Sequence, residues 1–330
     1  MNGGDGTPTA LEQFKSSCWA NVSGYMAECE QHLAEATEAP GATLGEACSM
    51  TLAAGGKRLR PLLVLLTTKK LTGINKAQIA AGVAVELIHM ATLVHDDVLD
   101  DAKLRRGHPT LVAGYGPSVS MAAGDYLFSR AFAVLAGAGS DRAVSLLTAV
   151  SLDLSLGELV QMEQAHDTGL SHDAYEIRCR LKTSGLFSAA CQLGALLSGC
   201  SGATQKALGR FGHCIGLSFQ ISDDILDFTG EVSDTGKSIG TDLRDGTVTL
   251  PLIMALELDP SLAMMFDGKL TGERIDAIVM KVRESGGLEK AREKAREYVE
   301  EAAAVLETVS DEIDIDPLRL IAEMTVQRRV

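Results

Sequence analysis

Apolar residues recur with helical rather than strand-like spacing along most of this chain. Strands usually span only about 4–8 residues, so longer apolar runs indicate buried helices. The pattern predicts helices over residues 77–95, 118–135, 142–165, 175–197, 204–226, 249–258 and 288–306, the last of them amphipathic. No run alternates with period two, and no hairpin signal joins strand-like segments.

Helices that are apolar nearly all round must pack among other helices, which favours a large bundle. No linker-like segment separates two halves of the chain. The sequence therefore predicts an all-α fold, with a disordered tail over residues 1–10 and a single helical domain over residues 11–330.

Composition excludes several classes of protein. The 330 residues are 46% hydrophobic and 22% charged, which is typical of a globular chain. A net charge of −14 and an aromatic content of 4% argue against a nucleic-acid surface, which needs clustered cations and stacking rings. We therefore expect no nucleic-acid partner.

Cysteine usage and the start of the chain bear on the compartment. The seven cysteines form no CxxC pair, and no basic region followed by an apolar run opens the chain. No stretch approaches the roughly 18 uninterrupted apolar residues of a membrane span. We expect a cytoplasmic protein with reduced thiols and no transmembrane segment.

Two acidic clusters of the pattern DDxLD each follow an apolar helical run. Their aspartates are Asp96, Asp97 and Asp100 in the first cluster, and Asp223, Asp224 and Asp227 in the second. Residues four apart share a helix face, where like charges repel, so folding alone does not favour this pattern. Mg²⁺ takes oxygen ligands and is usually held by carboxylates together with substrate phosphates. Several Mg²⁺ ions around a diphosphate would explain both clusters; solvated acidic helix ends are the alternative.

Two other chemistries fit the clusters less well. Six carboxylates do not single out the one acid and one base that glycoside hydrolysis requires. Zinc is disfavoured because no set of cysteines and histidines has ligand spacing.

Basic residues stand near both acidic clusters despite the negative net charge. They occur in GGKRLRP at residues 55–61, in Arg105-Arg106, in Lys182-Thr183 within an apolar run, and in GKSIG at residues 236–240. Glycines let a backbone approach an anion, and arginine binds phosphate oxygens in pairs. Each basic segment alone could be an ordinary loop or a surface ion pair. Together the segments indicate two diphosphate pockets.

These motifs, in this order, resemble those of the all-trans (E-type) isoprenyl diphosphate synthases, the polyprenyl synthetase family. The segments that carry the resemblance are GGKRLRP, HDDVLDDAKLRRG, KTS, GLSFQISDDILDFTG and GKSIGTDLRDG. The resemblance implies a bundle around a deep central cavity, usually a homodimer. It also implies Mg²⁺-dependent condensation of an allylic diphosphate with isopentenyl diphosphate, with Mn²⁺ as a possible substitute.

The resemblance also implies roles for individual residues. The six aspartates of the clusters would bind the metal ions. The allylic diphosphate would contact Arg105, Lys182 and Lys237, and isopentenyl diphosphate would contact Lys57, Arg60, His89 and Arg106. Thr183 and Gln220, with Lys182, match positions near the reacting carbon. Thr247 departs from the pattern, since many members carry lysine in that segment.

Product length would depend on the wall of the cavity. The expected wall residues are Leu87, Ile88, Ala91, Thr92, Phe128, Phe132 and Gln161, with core packing as the alternative for Leu87, Ile88, Phe128 and Phe132. In the family, a bulky aromatic residue about one turn before the first cluster gives a short product; here Ala91 and Thr92 are small. The first cluster also lacks the two-residue insertion of many bacterial short-chain members. A medium- or long-chain all-trans product is therefore expected, with a geranylgeranyl or farnesyl length as the alternative.

Two further functions stay open from the sequence. A terpene cyclase would also bind metal ions through acidic clusters, but it needs no second diphosphate pocket. A non-catalytic regulatory subunit would be expected to lose aspartates, whereas all six stand here.

Overall fold

Helices make up most of the described residues. The computed structural model describes residues 9–105, 107–230, 239–266 and 270–327. Its α-helices are α1 Ala10–Ser17, α2 Trp19–Thr37, α3 Ala42–Ala53, α4 Leu59–Leu66, α5 Lys76–Leu99, α6 Leu111–Ala136, α7 Asp141–Glu163, α8 His172–Cys179, α9 Gly185–Leu197, α10 Gly202–Thr229, α11 Thr241–Arg244, α12 Leu250–Leu258, α13 Gly272–Ser285, α14 Gly287–Glu307 and α15 Asp316–Val326. The prediction of an all-α fold is confirmed. Most of the predicted tail, together with Arg106 and Lys237, lies outside the described residues.

A small antiparallel hairpin follows the first acidic cluster, and the sequence did not predict it. Its strands are β1 Leu104–Arg105 and β2 His108–Pro109, with Leu104 opposite Pro109 and Arg105 opposite His108. Two residues per strand are too few to leave a period-two pattern. Between the strands, Gly107 adopts a φ of +78°, which a glycine allows at no steric cost.

The apolar run over residues 175–197 forms three elements instead of the predicted single helix. A π-helical segment, Arg180–Ser184, separates α8 from α9. The described residues also form two short 3₁₀ helices, Leu71–Gly73 and Pro260–Phe266. A π segment holds one extra residue per turn and is frequent at functional sites.

Residues from α1 through α15 share one buried hydrophobic cluster. The centre of α5 is buried on all sides, whereas α7 buries only one face. The outer face of α7 carries four large apolar side chains, Leu152, Leu156, Leu159 and Met162, each between 50% and 69% exposed.

Among the described residues, α5 and α7 have the length and apolar composition of a membrane span. For α5, 72% of the apolar window is buried inside the protein, as expected of a core helix. For α7, 33% is buried.

All seven cysteines are free thiols and all are buried. Burial raises the pKa of Cys29 to about 12 and that of Cys48 to about 11. These two thiols therefore stay protonated and unreactive at neutral pH.

Candidate active site

The π segment places Lys182 next to the first acidic cluster. Lys182 Nζ lies 2.5 Å from Glu158 Oε2 on α7. Burial raises the pKa of Asp96 to about 6; the charge of Lys182 acts in the opposite direction, and that of Glu158 raises it further. Asp96, Lys182 and Glu158 therefore lie within electrostatic reach of one another, although α5, α7 and the π segment are distant in sequence.

A glycine on α7 makes this approach possible. A Cβ at Gly157 would lie 2.8 Å from Lys182 Cγ and 2.8 Å from Leu181 Cβ, closer than real side chains come. The absence of a side chain lets α7 and the π segment touch, which brings the lysine beside Glu158.

The next residue of the π segment reaches the second acidic cluster. Thr183 Oγ1 donates to Gln220 Oε1 at 2.7 Å, and Gln220 Nε2 donates to Asp224 Oδ1 at 2.8 Å. Tyr175 Oη donates to Asp224 Oδ2 at 2.6 Å. Burial raises the pKa of Asp224, and these two hydrogen bonds oppose that rise.

Two consecutive residues thus connect the two acidic clusters. Lys182 faces the cluster that ends α5, and Thr183 is hydrogen-bonded toward the cluster in the last turns of α10. Adjacent residues of one π segment therefore link to both clusters.

Within the first cluster, the aspartates differ in their surroundings. Asp97 is buried and accepts hydrogen bonds from Arg105, whose Nε and Nη2 both lie 2.8 Å from Oδ1. The hairpin that carries Arg105 thus folds back on α5. Asp100 is exposed at the end of α5.

Within the second cluster, Asp227 holds the segment that follows. Its carboxylate accepts the backbone N–H groups of Thr241, at 3.0 Å, and Asp242, at 3.1 Å. Both donors belong to the first turn of α11. Asp223 contributes a neighbouring charge that raises the pKa of Asp224.

The basic segment at the start of α4 holds three cations, of which Arg58 is structural and Lys57 and Arg60 are candidates for substrate binding. Arg58 has a left-handed backbone, with a φ of +48°, and its guanidinium donates to Glu30 at 2.6 Å and to buried Glu86 at 3.0 Å. Arg60 lies over the ring of Phe187, 4.5 Å from its centroid. Lys57 is exposed. Sequence reasoning missed the anchoring role of Arg58, because no local signal points to a partner on α5.

The residues expected to line a cavity wall fall into two groups. Leu87, Ile88 and Ala91 are fully buried on α5, whereas Thr92 on the same helix is partly exposed. His89, the candidate contact of isopentenyl diphosphate, is also partly exposed. Thr92 stands four residues before Asp96 and so shares its helix face. The rings of Phe128 and Phe132 lie 5.7 Å apart on α6, and both are partly exposed, as is Gln161 on α7.

The donor set suits a hard divalent cation, because the candidate ligands are carboxylate oxygens. Within the described residues, no three His, Cys, Asp or Glu side chains form a ready-made metal site. Mg²⁺ retains several waters and shares its coordination with substrate phosphates, so it does not need such a site.

Sequence comparison shows which known proteins this chain resembles. A family model described as polyprenyl synthetase matches residues 42–280. The chain is 38% identical to heptaprenyl diphosphate synthase component 2 of Geobacillus stearothermophilus over 87% of its own length and 90% of that protein. It is 32% identical to octaprenyl diphosphate synthase of Escherichia coli, over 83% of this chain and 86% of the relative.

Structural comparison agrees. A polyprenyl synthase from Caulobacter crescentus, solved with calcium and isoprenyl diphosphate, superposes with a TM-score of 0.89 at 32% identity. The match covers 94% of this chain and 97% of that one.

Proposed function

Since this chain belongs to the polyprenyl synthetase family and is a prenyltransferase, we propose that it condenses an allylic diphosphate with isopentenyl diphosphate into a longer all-trans polyprenyl diphosphate. The observation that carries this proposal is the π segment, whose Lys182 and Thr183 connect with the two acidic clusters in turn. A diphosphate between the clusters would have cations and metal-binding carboxylates around it.

The six aspartates are the proposed ligands of Mg²⁺, with Mn²⁺ as a substitute. Such ions would neutralise charge on the departing diphosphate. The Caulobacter protein, solved with calcium and isoprenyl diphosphate, supports divalent-cation binding in this fold. Asp97, Asp224 and Asp227 already accept protein hydrogen bonds, which orient their carboxylates; each oxygen can accept more than one partner.

Protein cations bind the allylic diphosphate in the proposed reaction. Arg105 and Lys182 flank the first cluster, and Lys237, outside the described residues, is the third candidate. Their positive charge stabilises the diphosphate as the bond from its oxygen to the allylic carbon breaks. The oxygens of Thr183 and Gln220 lie near the developing positive carbon.

The second substrate binds through the basic segment at the start of α4 and through α5. Lys57, Arg60 and His89 are the proposed contacts of isopentenyl diphosphate, with Arg106 outside the described residues. The double bond attacks the allylic carbon, a carbon–carbon bond forms, and one proton leaves to the released pyrophosphate. The chain grows by five carbons.

We propose a medium- or long-chain product, as the names of the heptaprenyl and octaprenyl relatives indicate for those proteins. The small Ala91 and Thr92 support it, because neither blocks growth beside the first cluster. These relatives do not favour a farnesyl or geranylgeranyl length.

We further propose a cytoplasmic homodimer with a single domain over residues 11–330. The shared hydrophobic cluster supports one domain, and the buried free thiols support a reducing compartment. The apolar outer face of α7 supports association with a second copy. The Geobacillus relative is named as component 2, so a different partner chain is the alternative.

One incubation tests the proposed function. Purified protein, Mg²⁺, isopentenyl diphosphate and allylic diphosphates of several lengths are combined, and the products are sized by chromatography. We expect products longer than the primer by multiples of five carbons. Turnover without isopentenyl diphosphate would indicate a cyclase. An inactive purified chain that regains activity with a partner protein would indicate a subunit.

A further inference from the structure

A chain of hydrogen bonds runs from behind the second acidic cluster to the π segment. We call Tyr175, Asp224, Gln220 and Thr183 the Asp224 chain. Tyr175 is 1% exposed and Asp224 is 2% exposed. Tyr175 and Gln220 donate to separate oxygens of Asp224, and Thr183 donates to Gln220.

The direction of these bonds is fixed by the carboxylate. An ionised carboxylate only accepts, so the atom of Gln220 that faces Asp224 must be the NH₂ group. The carbonyl oxygen of Gln220 then faces Thr183, whose hydroxyl must donate to it. The reverse amide orientation would set an oxygen of Gln220 against an oxygen of Asp224. The hydrogen of the Thr183 hydroxyl is therefore committed, and its oxygen has only lone pairs left to offer.

Tyr175 holds the far end of the chain in place. Its ring lies beneath buried Arg178, with the guanidinium carbon 5.6 Å from the ring centroid. Arg178 in turn donates to Val248 O at 2.5 Å, which fixes it to the start of the α12 region. Without the tyrosine hydroxyl, Asp224 would lose the donor to one buried oxygen, and its carboxylate would be free to turn.

We propose that Tyr175 is a positioning residue that sets the polarity of the Asp224 chain. Through Asp224 and Gln220 it makes Thr183 present oxygen lone pairs, not a hydrogen, toward the positive carbon of the allylic substrate. This inference rests on the proposed function and names a residue that touches neither substrate nor metal in it.

The test compares Tyr175→Phe with Tyr298→Phe. Tyr298 is a matched control, because it is also buried, also donates to a carboxylate, that of Glu176, and also packs against a cation, Lys294, 4.9 Å from its ring centroid. We expect kcat to fall about tenfold or more in Tyr175→Phe, with the KM for the allylic diphosphate within about twofold. In Tyr298→Phe, both constants should stay within about twofold. Equal effects of the two variants would overturn the proposal.

A double-mutant cycle tests the path through the chain. Thr183→Val removes the hydroxyl that Tyr175 is proposed to orient, so Tyr175→Phe should cost no further activity in that background. In Thr183→Ser, which retains a hydroxyl, the cost of Tyr175→Phe should return. Additive losses in the Thr183→Val background contradict the proposal, because they indicate independent effects.

A spectroscopic measurement needs neither substrate nor metal. The side-chain amide signal of Gln220, assigned by its disappearance in Gln220→Glu, should shift in Tyr175→Phe and stay in place in Tyr298→Phe. If Tyr175→Phe does not fold, Asp224→Asn replaces it in this metal-free measurement: one amide oxygen then serves two donors, so the same shift of the Gln220 signal is expected. An unmoved amide signal overturns the inference, whereas a wild-type protein that forms no product overturns only the proposed function.

Discussion

Asp100 and Asp101 are neighbours at the end of α5 with different surroundings. Both are exposed, but Asp100 belongs to the DDxLD pattern and its N–H still bonds to Asp96 O. Asp101 has a left-handed backbone, with a φ of +47°, and its carboxylate lies 2.5 Å from Lys103 Nζ. The two carboxylates offer a comparison in which only one belongs to the proposed metal site.

We predict that Asp100→Asn loses activity and Asp101→Asn does not. Residues that merely support a metal site cost about 10- to 100-fold when replaced, so a direct ligand should cost about 100-fold or more. Asparagine tolerates a left-handed backbone, so Asp101→Asn should also keep its stability. Steady-state rates at saturating Mg²⁺ measure the difference, with thermal unfolding as the check on folding. Equal losses of activity in the two variants would contradict the assignment of Asp100 as a metal ligand.

Ala91 and Thr92 look alike in the sequence as wall residues, but burial separates them. Ala91 is fully buried, whereas Thr92 is partly exposed on the helix face of Asp96. A bulky group at Thr92 therefore extends along the face of the acidic cluster. A bulky side chain at Ala91 must instead displace the side chains packed around that position.

We predict that Thr92→Phe shortens the product and Ala91→Phe does so at a cost in stability. Overpacking a filled core typically costs about 1–3 kcal/mol, so Ala91→Phe should lower the free energy of unfolding by about that amount. Product sizing and denaturant unfolding of both variants check this. Unchanged product length in both variants would reject this part of α5 as a wall.

Among the elements, the π segment depends on its contact with α7. Gly157 is the position where the two meet, and a Cβ there would overlap Lys182 Cγ and Leu181 Cβ. Any side chain must therefore move the π segment, and Lys182 with it. A helical glycine with open space around it, Gly24 on α2, gives the contrast.

Gly157→Ala should reduce both turnover and stability. Displacing the π segment should lower kcat about tenfold or more, since small misplacements at a reacting centre are costly. Gly24→Ala should raise the free energy of unfolding by about 0.5–1 kcal/mol, because alanine favours a helix. Rates and chemical denaturation of both proteins provide the comparison. Wild-type activity in Gly157→Ala would show that the contact does not position Lys182.

Elements with strong periodicity were predictable, and those defined by single insertions were not. The run over 77–95 became Lys76–Leu99, and 288–306 became Gly287–Glu307. The π segment escaped prediction because an extra residue in one turn leaves the surrounding apolar pattern helical. The hairpin after the first cluster was too short to show alternation.

The residues of the site were partly predictable from the sequence for similar reasons. The two acidic clusters share the same spacing, so they can be recognised in the sequence alone. Glu158, Tyr175 and Glu86 act through partners that are distant in the chain, and no spacing marks such contacts. Burial and long-range pairing had to come from the three-dimensional arrangement.

At the scale of the whole molecule, α7 presents an apolar face that the described residues of one copy leave uncovered. Leu152, Leu156, Leu159 and Met162 follow each other at helical spacing on that face. An exposed continuous apolar stripe is typical of an association surface. It supports the proposed homodimer.

We predict that Leu156→Glu converts the proposed homodimer into monomers. Met280→Glu on α13 is the matched control, because Met280 is 53% exposed and Leu156 is 50% exposed, but Met280 lies on a different helix. Light scattering coupled to size exclusion should show the lower mass only for Leu156→Glu. A monomeric wild type would contradict the proposed homodimer. Dimers in both variants would show that α7 is not part of its interface.

The seven buried thiols also allow the rate of local opening to be measured in the unmodified protein. They are spread from the end of α1 to α10, and burial keeps them from reacting while the structure around each is closed. Reaction with a thiol reagent then proceeds only as fast as each region opens, so mass spectrometry of timed samples would rank the helices by local stability. No label or engineered residue is needed, because the chain already carries its reporters.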